Sequence, residues 1–152
     1  MKGIILSVTI THGHSDMHSV EDRLGEQRIE HAYAYKKLLD EVAILPLGTD
    51  FPVEQVNPLL TFYAAVSRQD KSGYPEDGFQ SENALSRKQA LKGMTIWAAY
   101  ANFEEEVKGS LEVGKYADFV IFDKDIMSIP MNEIPSLRVK ATYVNGEEVY
   151  AH

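Results

Sequence analysis

The stretch "LPLGTDFPVE" (Leu45–Glu54) sets an apolar run directly against Gly48, Thr49, Asp50 and Pro52. A short apolar run bounded by turn residues reads as a buried strand. A carboxylate at the end of such a strand is costly unless it has something to hold. An aspartate between a strand and a proline also serves as a turn former or helix cap, so position alone leaves both readings open.

The flanking sequence gives the stretch its setting. Val42–Leu47 is the apolar run that ends at Asp50, and Asn57-Pro58 follows as a helix N-cap with proline at the first helical position. Leu59, Leu60, Phe62, Tyr63 and Val66 would form the buried face of that helix. Upstream, Ile4–Thr11 is β-branched and continuous, as expected of a strand covered on both faces. It runs into a loop, His12-Gly13-His14. A helix is then expected from an N-cap at Ser19, with Glu21 and Asp22 in its first turn and Ile29, Ala32, Tyr33, Leu38, Leu39 and Val42 on one face. Residues 4–70 therefore read as two successive βα units with parallel strands.

Residues 71–85 are rich in Gly, Pro, Ser and acids, and form a connection of the long kind that is often functional. Ser86 and Gln89 fit a capping box that starts a helix running to about Asn102, with Ala90, Leu91, Met94, Ala98 and Ala101 inward. Trp97 and the tyrosines read as core or core-edge residues. Beyond Gly109 the pattern turns to strand. Ala117–Asp123 is expected as a buried run, and Leu137–Ala151 alternates around Asn145-Gly146, a type I′ hairpin dipeptide. The boundary predicted from these patterns divides the chain into 1–108 and 109–152.

Composition narrows the functional classes. The net charge of −8 and pI near 5.1 oppose capture of phosphate backbones or anionic membranes, so nucleic acid and membrane surfaces are not expected partners. No window has the ~18 to 20 apolar residues of a spanning helix, and the start, Met1-Lys2-Gly3, is followed by no small-residue cleavage pattern. A soluble, cytoplasmic chain is expected. With no cysteine, a metal would have to use His, Asp or Glu.

In a parallel βα array, ligands gather at the C-terminal ends of the strands. His12, His14 and Asp50 all occupy that position. If the two strands are neighbours, the imidazoles and the carboxylate could serve one divalent ion, with Asp50 carrying a proton. His-x-His in a loop is weak evidence alone, since only an extended strand would place both rings on one face. His18, His31 and His152 read as surface or helix-face residues with no claim on the site, and Glu104-Glu105-Glu106 as a solvated face.

Longer stretches carry a resemblance. "SDMHSVEDRLGEQRI" (Ser15–Ile29), "AYAYKKLLD" (Ala32–Asp40), "LGTDFPVEQVNPLLTFYAAVSRQD" (Leu47–Asp70) and the text from Ala84 to Ile126 resemble the C-terminal end of metal-dependent amidohydrolases of the amidohydrolase 3 group. Chains labelled exoenzyme regulatory protein fall in that group. "GSLEVGKYADFVIFD" (Gly109–Asp123) is common to many amidohydrolases, whereas "GTDFPVE" with "AVSRQD" (Ala65–Asp70) is more specific.

The resemblance implies an α/β fold: the last two βα units of a (β/α)₈ barrel in residues 1–108, then the C-terminal portion of a small β-rich domain in 109–152. In isolation the helices would pack on a mixed sheet. Ile4–Thr11 would match the seventh barrel strand and Val42–Leu47 the eighth. Asp50 would match the family aspartate that binds the metal and relays a proton, and His12 a histidine near the active-site mouth. A divalent metal, zinc foremost, is implied for the whole protein and need not be held by this chain alone.

Such a barrel takes about 250 residues, so the remaining ligands are expected upstream. "THGHSD" imitates the family's first-strand His-x-His, but too few residues separate it from Asp50 to hold a barrel. The expected function is part of a metal-dependent hydrolase acting on non-peptide carbon–nitrogen bonds of a small-molecule substrate. The piece alone would be inactive, and would associate with the missing barrel segment or with a second copy. The contrasting readings are a non-catalytic regulatory or interaction module on the same scaffold, and a small autonomous metal site of His12, His14 and Asp50.

Overall fold

The computed structural model describes residues 4–152; Met1-Lys2-Gly3, read above for a cleavage pattern, lies outside them. Strand β1 (Val8–Thr9) pairs in parallel with β2 (Leu47–Gly48), in the register Val8 to Leu47 and Thr9 to Gly48. The two expected βα units are therefore neighbours with their strand ends on the same side. Both strands are shorter than their apolar runs, because among the described residues neither has a second neighbour to extend the ladder.

The chain leaves β1 as a helical turn, α1 (His12–Ser15), where a loop was expected. The amides of Ser15 and Asp16 donate to the carbonyls of Thr11 and His12 at 3.1 and 3.0 Å. The single helix expected from Ser19 to Val42 is three: α2 (Met17–Leu24), α3 (Glu26–Ile29) and α4 (Tyr35–Val42). Gly25 at φ 76° and Tyr33 at φ 57° take the chain out of helical geometry at the two breaks.

Helix α5 (Pro58–Ser67) starts as the sequence predicts, with Asn57 Oδ1 accepting from the Leu59 amide at 3.0 Å. It is buried on every side from Leu59 to Val66 and forms the centre of the molecule. Helix α6 (Arg87–Met94) begins with the Ser86/Gln89 capping box. The expected continuation to Asn102 breaks at Thr95, whose hydroxyl bonds back to the Leu91 carbonyl at 2.7 Å, and α7 (Ile96–Ala101) follows. The inward face differs in part from the prediction: Ala90, Gly93 and Ala99 are buried, while Leu91 is exposed. Gly93 lets α6 lie directly on β2, since a Cβ there would meet Leu47 Cγ at 2.6 Å.

The remaining strands, β3 (Phe119–Phe122), β4 (Val139–Val144) and β5 (Glu147–Ala151), form a separate antiparallel sheet in that order. Asn145 and Gly146 take positive φ at the β4–β5 turn, as the dipeptide predicts. Ala117–Asp123, expected to be buried, is not: Val120 and Ile121 are 44% and 43% exposed. The C-terminal segment reaches the centre through Ile129, Ile134 and Leu137, which join Ile10, Leu45 and Phe62 in one core. Arg87 ties it to α6 by donating to the carbonyls of Ile126 and Ile129. Among the described residues no helix is long and apolar enough to cross a membrane.

Candidate functional site

The parallel register carries the segment after β1 and the segment after β2 to one end of the pair. They meet there through Glu54. Its carboxylate accepts from the Ser15 hydroxyl at 2.5 Å and lies 3.8 Å from His12 Nε2. Asp50 begins the same turn. Its φ of 55° is left-handed, a conformation that aspartate tolerates better than most residues. Its carbonyl accepts from the Val53 amide at 2.8 Å, while its carboxylate is exposed and accepts no hydrogen bond among the described residues.

Beside this junction is a hollow of about 430 Å³. Thr11, His14, Ser15 and His18 form one wall, Glu54, Gln55 and Leu60 another, and Asp70, Lys71 and Ser72 the third. Side chains bridge the walls in sequence: Ser15 to Glu54, Gln55 to Lys71, and Asp70 to His18, the last pair 3.5 Å apart. His18 is exposed, as expected of a surface residue, and it also lines the hollow, with its ring stacked on Tyr74 at 5.7 Å. Glu54 and Asp70 are further site residues that sequence reasoning did not single out. Their signal was available, because both lie inside the two stretches, "GTDFPVE" and "AVSRQD", that carry the more specific resemblance.

The electrostatics follow from burial and hydrogen bonding. Burial lowers the pKa of His14 below the ordinary 6.5; Glu54 and Asp70 work against this, and Lys71 and Arg68 add to it. Its Nδ1 and the Thr11 hydroxyl are buried without a hydrogen-bond partner among the described residues. Burial, the largest influence on Asp70, raises its carboxyl. The Ser72 hydroxyl, the Tyr74 and Ser72 amides and nearby His18 outweigh it, and the net shift is downward. Below the turn, the Tyr33 hydroxyl donates to Asp16 at 2.7 Å, and burial together with that bond pushes its pKa up to about 12.

Asp50 has the donor chemistry of a divalent-cation ligand, and its carboxylate is uncommitted. The number of donors does not suffice, since no three His, Asp or Glu residues among the described ones come together to hold an ion. His14 lines the hollow, His12 faces Glu54, and Asp50 is absent from the hollow's lining.

Residues 2–150 match the amidohydrolase family, in its amidohydrolase 3 group. Among curated proteins the chain is 36% identical over 152 residues to LONG AFTER FAR-RED 3 of Arabidopsis thaliana, covering 97% of this chain and 25% of that protein. It is 29% identical over 114 residues to the N-substituted formamide deformylase of Arthrobacter pascens, covering 75% of this chain and 20% of that one. In structure it is similar to a metal-dependent hydrolase from Pyrococcus horikoshii OT3, with a TM-score of 0.73 and 31% identity over 84% of this chain and 26% of that chain. The chain thus spans about a quarter of the length of the relatives it matches.

Proposed function

The chain belongs to the amidohydrolase family, and from that premise we propose that it is the C-terminal portion of a metal-dependent hydrolase acting on non-peptide carbon–nitrogen bonds. In this reading residues 1–108 are the last two βα units of a barrel and residues 109–152 belong to its small β-rich domain. The observation that carries it is the parallel β1–β2 pair, which sends both polar segments to one end, where such barrels keep their sites. The metal-dependent relative from Pyrococcus horikoshii, similar over most of this chain, supports a divalent metal in the whole protein.

Asp50 is the residue of this chain that would hold the ion, and zinc suits a site of carboxylate and imidazole donors. When bound, such an ion makes a water molecule acidic at neutral pH. The role of Asp50 is to take a proton on its free carboxylate oxygen and deliver it to the leaving nitrogen. His12 and Glu54 border the site, and His14 offers it a ring whose pKa burial lowers. The other ligands would come from the three quarters of a typical relative that this chain does not span, so the chain alone would be inactive and would need that segment as a partner.

The test is Asp50→Asn in the longer protein this reading implies. Hydrolysis of an N-substituted amide is expected to fall by at least about 100-fold, the usual scale for losing a proton-transfer group, with a drop in bound metal. An unchanged rate together with unchanged metal content would overturn the role of Asp50. A longer protein with no hydrolytic activity on any amide would favour the non-catalytic module instead.

A further inference from the structure

Arg68 is the largest fully buried side chain, 2% exposed, and it belongs to the "AVSRQD" stretch that the proposed chemistry leaves unused. A buried guanidinium is costly unless it is paired. Among the described residues no carboxylate lies within ion-pair distance of it.

The group is held in plane by other means. Its Nε donates to the Phe79 carbonyl at 2.9 Å and Nη2 to Gln80 Oε1 at 3.4 Å. The Tyr35 and Phe79 rings lie 5.4 and 5.6 Å from Cζ, within cation–π range. Two of these neighbours are anchored in turn: the Tyr35 hydroxyl donates to the Thr9 carbonyl in β1 at 3.1 Å, and Gln80 Nε2 to the Ile29 carbonyl at 2.6 Å.

The remaining edge, Nη1, faces Gly13. A Cβ at Gly13 would stand 2.8 Å from Nη1 and 3.3 Å from Tyr35 Cε2. Gly13 lies within helical turn α1 and has no positive φ, so its backbone does not require glycine. A side chain there would instead have to displace the held guanidinium beneath it. We propose that Arg68 is a positioning residue: its clamped guanidinium is the seat on which Gly13 rests, and it thereby sets the placement of His12 and His14 on either side. This rests on the reading that the turn after β1 belongs to the site, and it places Arg68 outside the catalytic group itself.

The test uses the 152-residue chain, whose five histidines give a small set of ring signals. Arg68→Lys keeps the charge but loses the planar fork. In NMR spectra of the folded variant at fixed pH, the His12 and His14 ring signals are expected to move while those of His31 and His152 stay in place. If Arg68 only stabilised the fold, Arg68→Lys would lower the unfolding midpoint and leave those signals unmoved, which would overturn the proposal. A double-mutant cycle gives a second reading. Gly13→Ala is expected to lower the denaturant midpoint in the native background and to leave it nearly unchanged beside Arg68→Met; equal losses in both backgrounds would also overturn it. Neither readout needs metal or turnover, so this proposal can fail while the role of Asp50 stands, and the reverse.

Discussion

The parallel pair β1–β2 has two residues in each strand, yet Ile10, Leu45 and Leu47 around it are 1%, 0% and 8% exposed. The antiparallel sheet β3–β5 has longer strands and a full hairpin, yet every residue of β5 is exposed, and Val120, Ile121 and Val144 are exposed by two fifths or more. Regular pairing and burial are therefore separated in this chain. A backbone hydrogen bond contributes modestly in net terms, because water competes for both partners, whereas burial of apolar area supplies the main driving force. The short pair is half-buried, with Leu47 and its neighbours Ile10 and Leu45 inside, because α6 lies on β2 and these side chains join those of α5 in the core. The long sheet is well paired, but among the described residues nothing covers much of its apolar surface.

Three changes would sharpen or break this contrast. The largest effect is expected from Phe62→Ala in α5, where the side chain is 1% exposed. It should cost about 3–5 kcal/mol, as large-to-small core changes do, read from denaturant unfolding. A loss no larger than that of a surface change would mean that the core is not centred on α5.

A smaller, pH-dependent effect is expected at His14. Burial depresses its folded pKa below 6.5, so between that lowered value and about 6.5 the unfolded chain binds more protons than the folded one. Stability should then fall as the solution is acidified through this interval, and His14→Gln should flatten the dependence. An identical pH profile for the variant would contradict the placement of His14.

The smallest effect is expected at Val120→Thr in β3, within about 0.5 kcal/mol of no change, as for other exposed positions. A loss comparable to that at Phe62 would show that this strand is covered in solution, by a second copy or otherwise, and unfolding at several protein concentrations would then distinguish the two.

Legibility in the sequence followed the range of the interactions. Asn57-Pro58, the Ser86/Gln89 capping box and the Asn145-Gly146 turn were readable because each involves residues within a few positions of one another. The long helix expected from Ser19 to Val42 was misread, since periodicity gave little weight to Gly25 and none to the left-handed Tyr33. His18 is exposed on α2, as its reading as a surface residue expects, but its place beside the hollow depends on Asp70 and Tyr74, which reach it only when the chain folds back.

Family membership, the two βα units and the strand-end positions of His12, His14 and Asp50 were all determined by the sequence itself, because local patterns and recurring motifs are written in neighbouring residues. Tertiary structure alone decided that Glu54 joins the two strand-end segments, that Arg68 lies under Gly13, and that the apolar run of β3 stays in contact with water. The physical reason is distance along the chain. Burial and close approach depend on which remote segment arrives against a residue, and no local pattern encodes that arrival.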